Sequence, residues 1–258
     1  QAFQASFLIS LIAPILGLFL ILRRQTLLAD TLSHVSLVGV ALGLLLGIAP
    51  TWMNLLVVVI VSILLEYIRS VYKTYSEISI AIMMSGGMAL ALVLMSLNDS
   101  SAMSLNSFLF GSIVTITTEQ ILFLLVITLA IILLYIFFRR PMYVLTFDEE
   151  TAFTSGLPVR TMSIAFNIIT GMTIAIVMPI VGALLVSAIL ILPAAISMRL
   201  SKSFNGVILI GIVVAMFGMF GGLVLSYYVG TPPGATITLI FIALFAIMLM
   251  VERLLGKS

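Results

Sequence analysis

"TMSIAFNIITGMTIAIVMPIVGALLVSAILILPAAISM", Thr161 to Met198, runs without a single charge, and Arg160 and Arg199 bracket it. As one helix rising 1.5 Å per residue it would be about 55 Å long. The hydrocarbon core of a bilayer is about 30 Å thick and takes around 20 helical residues. The stretch therefore reads as two membrane spans with a reversal between them, most simply at "MPIVG" around Pro179. That hairpin also returns the two flanking arginines to one side of the membrane. Gly and Pro lie within the apolar runs, and the alternation of barrel strands is missing, so the spans are helices.

Outward from this hairpin the same pattern repeats. Apolar segments fall at roughly Phe3–Leu22, Thr26–Ile48, Trp52–Ile68, Ile78–Leu97, Gln120–Phe138, Thr161–Val177, Ile180–Met198, Val207–Val229 and Ala235–Val251. The first is followed by arginines and lacks a small-residue cleavage site, so it reads as a span and not a signal peptide. Cations punctuate every second boundary, in "ILRRQ", "YIRSVYK", "FFRRP", "MRLSK" and "VERLLGK". Threaded with these clusters on one side, the chain places all 11 Lys and Arg on that face. The opposite loops, "GIAPT", "LNDSSAMS", "VMPIVG" and "YYVGTPPGA", hold none. Such segregation marks the cytoplasmic face. With 8% charged residues, against roughly a quarter in soluble domains, the reading is an all-α polytopic membrane protein of eight or nine transmembrane helices in one domain, residues 1–258. The absence of cysteine excludes disulfides, thiolate metal sites and iron–sulfur clusters.

Two stretches are not simple spans. Ser100 to Glu119, rich in Ser and Thr with a short apolar centre, reads as an outer half-helix or plug. Arg139 to Arg160, "RRPMYVLTFDEETAFTSGLPVR", is the longest cytoplasmic connection and holds the consecutive acids Asp148, Glu149 and Glu150. "FDEETAF" followed by "SGLPV" predicts a short helix with acids in its first turn, where the helix dipole favours them, closed by Gly156 and Pro158.

Most acids, Glu66 among them, stand at segment ends or in loops, but Asp30 lies about a turn inside an apolar helix. A charge there costs several kcal/mol, about 2.5–3.5 on insertion scales, and faces a partner or a cavity. His34, the single histidine, follows four residues later and shares Asp30's helix face. Thr31 and Ser33 are adjacent, and Gly39, Gly43 and Gly47 continue as a small-residue stripe. The expectation is one face carrying ligands and then close-packing glycines, in the cytoplasmic half of the membrane. Imidazole and carboxylate suit zinc, and also manganese or iron. Two ligands fall short of the four zinc takes. A homodimer with this helix at its axis would double them; water or a delivering partner would serve as well. The plainer alternative is that the pair hydrogen-bonds within the bundle.

"LLADTLSHVSLVGVALG", "SFLFGSIVTIT", "FDEETAFTSGLPVR" and "VGALLVSAILILPAAISMRL" occur in this order across nearly the whole chain. Together they closely resemble the membrane permease subunit of bacterial ABC importers for zinc and manganese. The resemblance implies a fold similar to type II importers, a homodimer, a cytoplasmic dimer of ATPases that binds the ATP, and an extracytoplasmic metal-binding protein. It implies a multi-pass protein of the bacterial cytoplasmic membrane with no nucleic-acid partner, no catalysis and no cofactor of its own. Asp30 and His34 match the family's pore metal ligands. Phe147, Asp148, Glu149, Glu150, Phe153 and Gly156 match the segment that couples to the ATPase. "DTLSHVSLVGVA" follows the zinc branch and lacks the Pro that manganese relatives carry before the glycine, so Zn²⁺ is the expected cargo and Mn²⁺ or iron the alternative. For Pro193 the expectation is a kinked packing helix.

Rival classes fit less well. A secondary transporter or channel would need a relay, and no intramembrane Lys, Arg or Glu stands beside Asp30. An intramembrane metalloprotease needs H-E-x-x-H, which one histidine cannot supply. No Walker A pattern exists, so any ATP hydrolysis belongs to another subunit.

Overall fold

The computed structural model describes residues 1–71, 76–97, 108–111, 116–147 and 149–254. Its helices are α1 Ala2–Leu22, α2 Thr26–Leu46, α3 Pro50–Val71, α4 Ser76–Ser96, α5 Thr118–Phe147, α6 Glu149–Thr154, α7 Val159–Val181, α8 Val186–Leu200, α9 Phe204–Val229 and α10 Pro233–Leu254. No strand occurs among the described residues. Each apolar segment expected from the sequence falls on a helix. Seven helices are long and apolar enough to cross a membrane, while α4 and α8 contribute shorter apolar stretches.

Burial separates centre from periphery. Of the most apolar window in each helix, 78% of α1 and 72% of α2 is buried, against 22% of α5. α1 packs on α8 and α9, and α2 packs on α3 and α4 with α7 behind it. Small residues allow this closeness, as expected where packing and not hydrophobicity drives helix association. A Cβ at Gly17 would strike the Leu190 backbone of α8, and one at Gly222 would strike Ile237 of α10. The cation-bearing ends are tied together by polar contacts. Arg23, just after α1, donates to Ser163 Oγ at the start of α7 (2.5 Å). Arg199 of α8 pairs with Glu252 of α10 at 3.2 Å.

The hairpin is real, and its turn lies at the last residue of the expected "MPIVG" stretch, three residues past Pro179. Pro179 sits inside α7, and the chain reverses at Gly182, with φ 103° and ψ 141°. α8 then has only 15 residues, about 22 Å of helix, too short to cross the core alone. It runs continuously through Pro193. Residues 108–111 close the gap above it. The N–H groups of Ala183 and Leu184 donate to the carbonyls of Phe108 (2.9 Å) and Leu109 (3.3 Å). Irregular backbone at membrane depth survives only where protein satisfies it, and this outer segment does so. The rest of the expected half-helix, 100–107 and 112–115, lies outside the described residues.

The cytoplasmic connection also differs from expectation. Residues 139–147 are not loop; they continue α5, a 30-residue helix that passes unbroken through Arg139, Arg140 and Pro141. Arginine ends an apolar run but is a good helix former. The bond that Pro141 cannot donate matters little where water reaches the backbone.

Candidate functional site

α2 begins at Thr26, so Asp30 and His34 stand about 6 and 12 Å along it. Both therefore lie toward the end of α2 that follows Arg23 and Arg24. Both are partly buried on a side of α2 that also carries the exposed Leu27, whereas Leu28, Leu32 and Ser36 are fully enclosed. This side faces out of the bundle. The glycines do not continue it: nine residues separate Asp30 from Gly39, which at 3.6 per turn is about half a turn. A Cβ at Gly39 would lie 2.5 Å from the Asn54 Cα of α3, and one at Gly43 would lie 2.8 Å from the Pro50 Cα. Gly47 ends the helix in the left-handed region and packs on nothing. The Asp30 and His34 pair and the packing glycines thus occupy opposite faces. The glycines draw α3 in behind, while Asp30 and His34 stay partly buried on the other side.

The neighbouring hydroxyls are committed to backbone. Thr31 Oγ1 donates to Leu27 O (2.9 Å) and lies 3.4 Å from Ile80 O of α4. Ser33 Oγ donates to Ala29 O (2.9 Å). His34 Nδ1 is buried and makes no hydrogen bond, so the plain bundle-packing alternative finds no partner for it. Among the described residues no three His, Cys, Asp or Glu side chains come together.

Behind α2 runs a line of buried polar contacts. Ser36 Oγ donates to Asn54 Oδ1 (2.7 Å), and Asn54 Nδ2 donates to Ala175 O of α7 (2.9 Å). Nearer the cytoplasm, Asn167 Nδ2 donates to Glu66 Oε2 (2.6 Å), which lies 3.5 Å from Arg69. Glu66, read from the sequence as a segment-end charge, is 7% exposed. The signal that could have found this tie is Asn167 itself, an amide in the middle of an apolar span.

In the second candidate region, α6 is a six-residue helix, close to the short helix expected. Leu157 N–H donates to Ala152 O (3.1 Å) and Gly156 N–H to Phe153 O (3.0 Å). This paired closure requires a left-handed residue, and Gly156 has φ +77°. Ala152 is fully buried, which anchors the turn, whereas Phe147 and Phe153 are 59% and 73% exposed. Glu150 is exposed; Asp148 and the Glu149 side chain lie outside the described residues. The Phe147 ring leans on Tyr143 at 4.6 Å between centroids. Two aromatic faces thus stand bare beside a rigid turn at the cation-rich end.

Comparison with known proteins agrees with this architecture. The description "ABC 3 transport family" matches residues 1–252. A "probable metal transport system membrane protein" of Treponema pallidum is 30% identical over 98% of this chain and 95% of its own. The high-affinity zinc uptake system membrane protein ZnuB of Haemophilus influenzae is 27% identical over 96% of this chain and 95% of its own. Other relatives are named for manganese and iron transport. Among solved structures, PsaBC from Streptococcus pneumoniae in complex with Fab superposes with a TM-score of 0.85 at 27% identity, covering 96% of this chain and 89% of that one. With its helical bundle, its spans and this match along nearly its whole length, the chain is a multi-pass membrane protein of the ABC 3 transport family.

Proposed function

We propose that the chain is the permease subunit of a bacterial ABC importer that passes a divalent transition metal inward, with zinc as the cargo. The observation that carries this reading is the Asp30 and His34 pair, open on the outward side of α2, with the imidazole's Nδ1 buried and unpartnered. The metal is substrate here, held in passing. A carboxylate and a neutral imidazole bind such an ion, and protonation of the imidazole releases it. A second copy apposed on this side of α2 supplies two further ligands and brings the set to the four that zinc takes. Turnover is driven by a separate ATPase dimer seated on Phe147, Phe153 and the Gly156 turn, and an extracytoplasmic binding protein delivers the ion. Zinc over manganese rests on the likeness of "DTLSHVSLVGVA" to zinc permeases and on the nitrogen ligands; relatives named for manganese and iron make this the finer part of the proposal.

The test is uptake of radioactive zinc and manganese by cells carrying the full transporter, with Asp30→Ala, His34→Ala and the control Leu27→Ala. Loss of uptake in the first two at unchanged membrane abundance is expected, with Leu27→Ala near wild type. Normal uptake in both site variants would remove the pair from the path. Manganese uptake exceeding zinc would overturn the cargo assignment alone.

A further inference from the structure

On the side of the bundle away from α2, helices α1, α5 and α7 enclose a crevice of about 290 Å³. Ile15, Phe19, Ile131, Ala165 and Ile169 line it, and Arg139 stands at its rim. From Arg139 to Ile131 along α5, and from Thr161 to Ile169 along α7, the crevice reaches about 12 Å into the membrane. Leu134 and Phe138, also in its wall, are 37% and 49% exposed, so it opens on the outside of the bundle. At that depth the medium it opens to is hydrocarbon, not water.

The charge at the rim selects among lipids. Arg139 and Arg140 are both exposed, and neither is paired among the described residues, where the ion pairs are Arg69 with Glu66 and Arg199 with Glu252. A long cationic side chain at a span's cytoplasmic end reaches to the headgroup level. There it meets the phosphates of anionic lipids, to which a planar guanidinium binds in two-pronged fashion. We propose that this crevice is a binding site for an anionic phospholipid, with an acyl chain between α1, α5 and α7 and the phosphate on Arg139. The occupant would wedge α5, the least buried span, against α1 and α7, where side chains alone leave the space unfilled. This goes beyond the metal reading and does not depend on it.

The full chain, reconstituted in nanodiscs of phosphatidylcholine with a minor share of phosphatidylglycerol and then re-extracted in mild detergent, reports the lipids it retains by native mass spectrometry. Wild type is expected to retain phosphatidylglycerol about fivefold above its share of the bilayer, the factor that one cation supplies near an anionic headgroup. Arg139→Gln keeps a lipid but loses the enrichment, while Ala165→Phe fills the crevice and loses the lipid. Ala165→Leu, a smaller plug, gives partial loss and serves if the Phe variant fails to fold. Retention in proportion to bilayer composition, enrichment of phosphatidylcholine, or unchanged retention in the folded plugged variants would overturn the proposal. Dissociation of a dimer by the plugs with lipid retention unchanged would overturn it too, by assigning the crevice to a second copy.

Discussion

His34 and Gly39 are five residues apart on one helix, yet they have opposite tasks. Four-residue spacing among the glycines reads as one stripe, and so does the spacing of Asp30 and His34. What sequence patterning obscured is the half-turn between the two sets, which becomes plain only when Asn54 of α3 is seen against Gly39. If His34 ligates zinc as proposed, its loss should weaken zinc binding to the purified protein by more than about tenfold, since even residues that merely orient ligands change affinity 10–100-fold. Calorimetry on His34→Ala measures this, and affinity within twofold of wild type would count against direct ligation. Behind α2, Asn167→Leu leaves the buried Glu66 carboxylate without its 2.6 Å donor. A hydrogen bond to a charged group contributes about 1.5–3 kcal/mol, so this variant should melt at lower temperature in detergent. An unchanged melting point would mean that Glu66 finds water or Arg69 instead.

Helix positions were legible wherever an apolar run of bilayer length stood between charges. Helix ends were not, because charge marks where the membrane stops and not where hydrogen bonding stops; α5 running on through Arg139–Pro141 is the clearest case. The reversal falls within the expected "MPIVG", but on Gly182 and not on Pro179. Proline reads as a breaker, but here it is tolerated in the last turn of α7. Gly182, in a backbone region that only glycine adopts at low cost, carries the turn. Gly182→Ala should cost at least about 1–3 kcal/mol for the backbone alone, and its Cβ would also meet the Phe110 backbone. Gly86→Ala in α4, with nothing near its Cβ, should be neutral or stabilising by up to about 1 kcal/mol. Thermal melts of the two variants should diverge, and equal stability would refute the capping role of residues 108–111. On α6, the exposed Phe153 should dominate attachment of the ATPase, because an exposed ion pair contributes only about 0–1 kcal/mol. Pull-down by Phe153→Ala should therefore recover less ATPase than by Glu150→Ala; the reverse order would shift the docking from aromatic packing to charge.

At the scale of the molecule, cations gather at one membrane face. At the other face Trp52 meets Phe123 edge to face at 5.2 Å, and Tyr227 and Tyr228 are 84% and 81% exposed. The gathering of the cations was already readable from residue order. Asp30 and His34 were legible as a residue pair, but the sequence could not say what else comes near them, and among the described residues no third His, Cys, Asp or Glu joins them. If two chains share one ion, metal analysis of the purified dimer should give one zinc per two chains, and binding should fall as acid protonates the imidazoles. One zinc per chain with the dimer intact would rule out sharing.

α5 has a mechanical consequence of its own. Thirty residues without a break make a rod about 45 Å long, half as long again as the core it crosses. Its foot stands beside α6, and its head lies at the outer surface near Trp52. A rod has no joint to absorb a push, so a displacement at the foot arrives at the head as tilt. Each degree swings one end against the other by about 0.8 Å over that length. Spin labels at Gln120 and Tyr143 would register the two ends moving together during ATP turnover, while a moving foot beneath a still head would reveal a hinge at Pro141.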